Sequence, residues 1–266
     1  MKIKPFAFSI RYVSVILICS CAFFNSCKGK VEFDEGVALY NKGDCENAKV
    51  KFEESIKKDP QLWEGYLYLA NCALKKGAFQ ESLQLGQKAF SIASGDTKSR
   101  DSFKAFFGSG GQAALEKNDY DNAVLFLKEY VPLNKEDTTA HFLLGKALLE
   151  RGKKGDMKEA VIEFKAGIEH SKNKDGDIAV MREIFFERAE KYSLAGDIPD
   201  KLTCYLAYTE NFNKNDVEAN VIIGRLMIDM KNPLGALYYA RRAHARDPKN
   251  SGVRELLDQL NGPMND

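Results

Sequence analysis

The residue types that most often carry chemistry are sparse in this chain of 266 residues. Its three histidines, His141, His170 and His244, stand in no metal-ligand spacing, and we expect His141 to pack in the core or at its boundary. The run Gly108–Gly111 has the glycine density of a phosphate loop, but no Lys-Ser/Thr pair follows it. No GxSxG or HExxH motif is present. The sequence therefore predicts no catalytic residue, metal or cofactor, and we do not expect an enzyme.

One cysteine near the N-terminus has a context that predicts a specific modification. Three basic residues precede the apolar stretch 12–24, which is followed by polar residues and then by Cys27. A basic start with a short apolar run is typical of a secretory signal. The stretch is too short to be a comfortable membrane span. We therefore expect residues 1–26 to be a signal peptide.

The end of this signal resembles that of bacterial lipoproteins, in which an apolar residue stands three positions before the modified cysteine and a small one directly before it. Phe24 and Ser26 fit this pattern at Cys27, with a loose first position. Cys21 is the alternative, although cleavage there leaves the apolar residues 22–24 on the mature chain. The resemblance implies several acyl chains on Cys27, and multiple chains anchor stably. A secreted protein with a chance cysteine and an uncleaved anchor are the other interpretations.

Three cysteines lie beyond the signal, at Cys45, Cys72 and Cys204, and no CxxC spacing indicates a metal or redox site. An export signal implies an oxidising compartment, where a disulfide is possible. Cys45 and Cys72 lie in neighbouring predicted hairpins and could meet. We favour the interpretation that all three are buried small hydrophobic residues.

The elements that position these residues are predicted to be helical hairpins. In the clearest copy, from Gly36 to Pro60, a small residue sits within a first helix, a Gly-Asp turn follows, and the second helix ends at Asp-Pro. The small residue of the second helix recurs with steps of 34, 41, 37, 41 and 35 residues. Its positions are Ala48, Ser82, Ala123, Ala160, Lys201 and Ala236. Recurrence near this length predicts stacked helical hairpins, and no sustained period-two alternation indicates strands.

This pattern resembles the tetratricopeptide repeat (TPR) over roughly residues 30–247. The resemblance implies an all-α fold, a right-handed α-solenoid of about six hairpins with a C-terminal capping helix. The hairpins are placed at about 29–62, 63–96, 104–137, 138–174, 182–215 and 217–250, with the capping helix and tail at 251–266. The longer steps predict extended helix ends or loops near 94–96 and 171–176. The fifth copy departs most, because Lys201 replaces a small residue and Arg188 lies on an inner helix face.

In TPR proteins the first helices line a concave groove that holds peptides or protein segments. Carried over by position, the predicted groove residues of this chain are Phe33, Val37, Tyr40, Leu67, Asn71, Leu74, Gln112, Phe142, Lys146, Phe186, Glu190 and Arg225. Apolar lines flank a polar, mixed-charge line, which suits a segment with alternating apolar anchors. Several of these apolar residues could instead only pack between hairpins. The clamp that grips acidic chaperone tails is not expected, because Leu67 and Ala105 stand where basic residues are needed.

Composition narrows the classes of partner. The chain is 44% hydrophobic and 29% charged, which is typical of a globular protein. Its formal charge is +1, which becomes −2 without residues 1–26, and no basic block indicates nucleic acid.

We therefore expect a lipid-tethered, periplasm-facing scaffold on a bacterial membrane, inner or outer, that binds an envelope protein. Assembly of an envelope or secretion complex is one such role. The predicted combination of a signal peptide, a lipidated cysteine and TPR hairpins resembles the lipoprotein pilotins of type IV pili. It also resembles the TPR lipoproteins of the outer-membrane β-barrel assembly machine. The alternative is a glycan- or cell-wall-associated accessory factor, because Tyr40, Phe142 and Phe186 could stack on sugars.

Overall fold

The computed structural model describes residues 28–93 and 99–261, and its regular structure there is entirely helical. These ranges hold thirteen helices and no strand, which confirms the predicted all-α class. No helix within them is long and apolar enough to cross a bilayer. The predicted signal peptide and both candidate lipid sites, Cys21 and Cys27, lie outside the described residues.

The chain divides into two compact units, Met1–Leu133 and Asn134–Asp266, each built from three hairpins. The helices of the N-terminal unit are α1 Lys30–Asn41, α2 Cys45–Lys58, α3 Trp63–Lys75, α4 Phe79–Ile92, α5 Arg100–Glu116 and α6 Tyr120–Leu133. Those of the C-terminal unit are α7 Thr138–Arg151, α8 Asp156–His170, α9 Lys174–Leu194, α10 Ile198–Asn211, α11 Val217–Asp229, α12 Pro233–His244 and α13 Ser251–Asn261. Each odd-numbered helix up to α11 packs most extensively on the helix that follows it.

Small residues in the first helices leave room for aromatic rings from the second helices. A Cβ added at Gly36 would stand 2.7 Å from Cε1 of Phe52, and one at Gly145 would stand 2.4 Å from Cε1 of Phe164. Both rings are fully buried. Because interiors are close-packed, a larger residue at either glycine would displace the ring. The repeated small and large positions therefore set how closely the two helices of each hairpin approach.

The run Gly108–Gly111 lies inside the continuous helix α5 and forms no loop. A Cβ at Gly110 would stand 2.3 Å from Cδ1 of Phe126 on α6, and Gly111 meets Leu127 in the same way. These glycines therefore permit close packing of the third hairpin, at a helix-propensity cost of about 1 kcal/mol each relative to alanine.

Polar residues before the second helices cap them. The side chain of Asp44 accepts a hydrogen bond from the backbone N–H of Asn47 at 3.1 Å, and Asn232 accepts one from Gly235 at 3.0 Å. Such caps satisfy one of the free amides of the first turn. In the fourth hairpin Gly155 occupies the cap position with φ +96°, and Asp156 is buried in an ion pair with Arg151 at 2.7 Å.

Two first helices start earlier than the spacing predicts. Helix α5 begins at Arg100 instead of residue 104, and α9 begins at Lys174 instead of residue 182. The side chain of Asn173 caps α9 by accepting from the backbone N–H of Gly176 at 3.2 Å, which starts the helix there. The 41-residue step from Ala160 to Lys201 is therefore accommodated by an extended helix end.

The fifth hairpin accommodates its two unusual residues through polar contacts. Lys201 donates to Oγ of Ser193 at 2.8 Å, so its ammonium is held at the hairpin surface. Arg188 pairs with Glu150 at 3.3 Å and donates to the hydroxyl of Tyr192 at 3.1 Å.

In the fourth hairpin, the ring nitrogens of buried His141 lie 2.8 Å from Glu163 and 2.9 Å from a backbone carbonyl.

The two ends of the described helices are closed differently. At the start, Gly29 has φ +81° and is buried, and its carbonyl accepts a hydrogen bond from Oγ of Ser55 at 2.8 Å. Only glycine fits, because a Cβ would stand 2.5 Å from the backbone oxygen of Ser55. At the end, α13 buries Val253 and Leu256 against the last hairpin, as expected of a capping helix.

Candidate functional site

A groove of about 440 Å³ opens on the first helices of the N-terminal unit. We call it the N-terminal groove. It is lined by Phe33, Tyr40, Trp63, Glu64, Leu67, Tyr68, Asn71, Ser102, Ala105, Phe106 and Ser109. These residues come from α1, α3 and α5, one helix from each hairpin of the unit. All three repeats of the unit therefore contribute to one surface.

The ring of Tyr68 organises one wall of the N-terminal groove. It meets Phe33 edge-on at 5.6 Å between ring centroids, and Tyr40 likewise at 5.1 Å. Beneath it, Tyr68 stacks on the buried ring of Phe52 at 5.0 Å. These are favourable aromatic geometries, so the half-buried rings are fixed in place before any ligand arrives.

The opposite wall, on α5, carries short side chains. Ser102, Ala105 and Ser109 are exposed and recur at helical spacing, so they share one face. Ser109 donates its hydroxyl hydrogen to the carbonyl of Ala105 at 2.7 Å, which directs that polar group back to its own helix. Phe106 is buried behind this face. Because these side chains are short, they leave open space over this face of α5, and that space forms part of the groove.

Three polar side chains lie in or beside the N-terminal groove. Glu64 contributes a carboxylate to the lining. Asn71 donates to the carbonyl of Leu67 at 2.8 Å, which orients its amide oxygen as an acceptor. The ammonium of Lys75 lies 3.7 Å from the ring centroid of Tyr40. Burial opposes the charge of Lys75, but a hydrogen bond and charge interaction with Tyr40 give a net raised pKa, so the ammonium stays charged at neutral pH.

Four of the seven groove residues predicted in this unit line the N-terminal groove: Phe33, Tyr40, Leu67 and Asn71. The other three do not. Val37 packs against the buried cluster around Phe52, Leu74 is half-buried elsewhere, and the exposed Gln112 bonds to Glu116 on its own helix at 3.3 Å.

Sequence reasoning missed several lining residues, chiefly Trp63, Glu64, Tyr68 and Phe106. One available signal was that the single tryptophan of the chain stands at the start of a first helix. A second was that Tyr68 directly follows the predicted groove residue Leu67.

In the C-terminal unit, partners from the same unit cover one predicted groove residue. The guanidinium carbon of Arg182 lies 4.0 Å from the ring centroid of Phe186, whose edges meet Tyr205 and Tyr208. Arg182 is held over the ring by carboxylates of Asp216, at 2.9 Å, and Glu218.

The other predicted groove residues of this unit do not line one cavity. Phe142 packs on Phe164 at 5.9 Å within the fourth hairpin, and Arg225 pairs with Glu255 of the capping helix at 2.9 Å. Lys146 and Glu190 are exposed. A smaller cavity of about 190 Å³ lies at the hairpin turns and is lined by none of these residues.

The comparisons with known proteins agree with this architecture. Residues 33–97 and 109–174 match the family described as tetratricopeptide repeat. These segments are tetratricopeptide repeats. They include all the residues that line the N-terminal groove except Ser102, Ala105 and Phe106, which stand between the two matched segments. No curated protein sequence matches the chain significantly.

Solved TPR structures share the repeat plan at low identity. The C-terminal part of a TPR repeat-containing protein from Cytophaga hutchinsonii is 17% identical, with 93% of this chain and 95% of that chain covered and a TM-score of 0.41. MamA from Desulfovibrio magneticus RS-1 is 11% identical, with 85% and 98% covered and a TM-score of 0.40. YrrB, described as a TPR protein with an unusual peptide-binding site, is 15% identical, with 85% and 90% covered and a TM-score of 0.35. Likeness at this level carries no argument about function.

TPR arrays mediate protein–protein interactions and are typically scaffolds without catalysis, since stacked repeats present extended surfaces. No enzymatic family is indicated for this chain. The N-terminal groove is a concave surface whose aromatic, polar and short side chains come mostly from the TPR segments.

Proposed function

We propose that the N-terminal groove binds a polypeptide segment through at least one aromatic or large aliphatic anchor. The observation that carries this proposal is the fixed aromatic wall of Phe33, Tyr40 and Tyr68 opposite the low wall of Ala105 and Ser109. Half-buried aromatic rings in a preformed concavity are typical of binding sites, because an apolar anchor gains contact there with little ordering cost.

The polar groups at the groove give the bound segment a direction. The amide of Asn71 and the carboxylate of Glu64 lie on α3. Asn71 stands three residues after Tyr68, and Glu64 stands three residues before Leu67, so each is one helical turn from a groove residue. They are placed to bond backbone or polar side chains of a ligand beside its apolar anchor. An extended or helical segment with alternating anchors fits this arrangement.

The cellular setting that we propose is the bacterial envelope. The signal-like residues 1–26 and the context of Cys27 support a lipid tether, with the groove binding an envelope protein during assembly of an envelope or secretion complex. The glycan alternative is not favoured, because Arg182 covers a face of Phe186 and Phe142 packs on Phe164. Sugar stacking needs open aromatic faces.

Filling the N-terminal groove is the direct test of binding there. Peptides selected from a random display library against the chain would be titrated while the emission of Trp63, the single tryptophan and a groove residue, is recorded. We expect Ala105→Arg to weaken binding at least about ten-fold, because the long side chain occupies the space above α5.

Gln112→Arg is the matched control, since it adds the same charge to another exposed position of α5 outside the groove. It should leave the affinity within about two-fold, because rim charges contribute little. Equal affinity of the two variants for every selected peptide would reject the groove as the binding site.

Metabolic labelling with palmitate tests the tether separately. The wild-type chain should take up label, and Cys27→Ala should lose it while Cys21→Ala keeps it. The reverse result would move the lipid to Cys21. If the wild-type chain takes up no label, or if both variants keep it, the lipoprotein proposal is rejected. The groove proposal is unaffected by either result.

A further inference from the structure

The fold of the N-terminal unit brings two cysteines from different hairpins to the same buried cluster. Cys45 is the first residue of α2, and Cys72 lies one turn before the end of α3. Cys72 belongs to a buried cluster with Phe52 and Leu69, and Cys45 packs against that cluster. The sequence favoured three buried small hydrophobic residues; Cys72 and Cys204 are buried, but Cys45 is only half-buried.

Flanking contacts hold the two helices at this point. Glu46, which follows Cys45, forms an ion pair with Lys76 at 2.5 Å across the same pair of helices. On the other side, Lys75 lies over the ring of Tyr40, which belongs to the helix before Cys45. These contacts join the end of α1, the start of α2 and the end of α3 at residues next to Cys45 and near Cys72 in the sequence.

We propose that Cys45 and Cys72 are a disulfide-forming pair that covalently joins the first hairpin to the second. The oxidant is an external disulfide, either a small-molecule disulfide or that of a thiol–disulfide oxidoreductase. This site lies beside the N-terminal groove, since α1 and α3 carry its aromatic wall. The bond would limit separation of those two hairpins, whether or not the groove binds a peptide.

The reaction proceeds by two thiol–disulfide exchanges. The more accessible Cys45 attacks the external disulfide as a thiolate, forms a mixed disulfide and releases one reduced thiol. Cys72 then attacks the sulfur of Cys45 as a thiolate, closes the protein disulfide and releases the second thiol. The two cysteines lose two electrons and two protons, and the external disulfide gains both as its two thiols form.

The environment of Cys72 makes the second exchange the slow one. Burial, together with the interaction with the neighbouring Cys45, raises the pKa of Cys72 to about 12, although the positive charges of Lys75 and Lys76 partly oppose this. Its thiolate is therefore scarce at neutral pH, and closure should accelerate as pH rises.

Peptide mapping of the oxidised full chain tests the proposal. The purified, reduced chain would be incubated with oxidised glutathione, quenched in acid, alkylated after unfolding and digested with trypsin without reduction. We expect a disulfide-linked pair of the peptides 43–49 and 59–75 that disappears on reduction. Cys204 is fully buried in the C-terminal unit and supplies the control, so Cys204→Ser should retain the linked pair.

Cys45→Ser and Cys72→Ser should each abolish the linked pair while keeping the helical circular dichroism spectrum of the wild type. Should Cys72→Ser unfold, the wild-type map and Cys45→Ser still decide the matter. A wild-type map in which Cys72 remains alkylatable while Cys45 carries glutathione would overturn the proposal. So would a link from either cysteine to Cys204 or to the N-terminal cysteines in place of the 45–72 link.

Discussion

The two units use matching repeat positions in opposite ways. Phe33 and Phe186 are both predicted groove residues on the first helix of a hairpin, yet Phe33 lines an open groove and Phe186 lies beneath Arg182. In the N-terminal unit the facing helix supplies Ala105 and Ser109, which leave space. In the C-terminal unit Asp216 and Glu218 hold a long basic side chain over the ring. Repeat position therefore places a residue on an inner helix, but its neighbours decide whether a ligand can reach it.

The largest expected effect on stability comes from replacing a fully buried phenylalanine with alanine, in one unit at a time. Phe52→Ala and Phe164→Ala should each lower the free energy of unfolding by about 3–5 kcal/mol, because each removes a fully buried ring. Phe52→Ala should also weaken peptide binding, since Tyr68 stacks on Phe52 at 5.0 Å. Urea denaturation and peptide titration would measure the two effects.

Phe164→Ala serves as the internal comparison for binding. It should leave peptide affinity unchanged under conditions in which the N-terminal unit remains folded. Equal loss of affinity in the two variants would show that the binding surface is not confined to the N-terminal unit.

A smaller effect is expected from uncovering the C-terminal aromatic residue. Arg182→Ala removes the guanidinium above Phe186 and a partner of Asp216, whose side chain is only 9% exposed. We expect a loss of about 1–3 kcal/mol in stability, moderated because Asp216 also accepts from Tyr208 and Ala219. An apolar fluorescent dye should then bind more strongly than to wild type. If dye binding does not rise, something other than Arg182 closes this surface.

The smallest expected effect is a pH dependence of the C-terminal unit. Burial, and then the nearby Asp216 carboxylate, raise the pKa of Tyr208 to about 12. Because this pKa is raised on folding, the contribution to stability is complete below the ordinary tyrosine pKa of about 10 and is lost as pH rises toward 12. Tyr208→Phe should therefore show a shallower fall in unfolding free energy over this window. Identical slopes for wild type and variant would contradict this assignment.

The fold was predictable because its determinants are local and repeated. Gly36 with Phe52 and Gly145 with Phe164 show the small and large positions of a hairpin directly in the sequence. Less local features were missed. In the fourth hairpin Gly155 takes the cap position of the second helix with φ +96°, and Asp156 pairs with Arg151 instead.

The groove was only partly predictable, because access depends on side chains from several helices. Repeat position predicted Phe33, Tyr40, Leu67 and Asn71, and all four line the N-terminal groove. It could not show that Arg182 reaches Asp216 across 34 residues of sequence. The same limit applies to Cys45 and Cys72, whose positions indicated neighbouring hairpins but not that both pack in the cluster around Phe52.

The hydrogen bond between Ser55 and the carbonyl of Gly29 has a consequence for the geometry of a tether. It fixes the chain to the first hairpin two residues after Cys27. An acyl group on Cys27 would therefore be joined to that hairpin by a linker of at most about 7 Å. Such a short linker would hold the first hairpin, including Phe33, close to the headgroups. A guest polypeptide would then have to present its anchor within a few residues of the bilayer, which favours juxtamembrane segments over distant soluble domains.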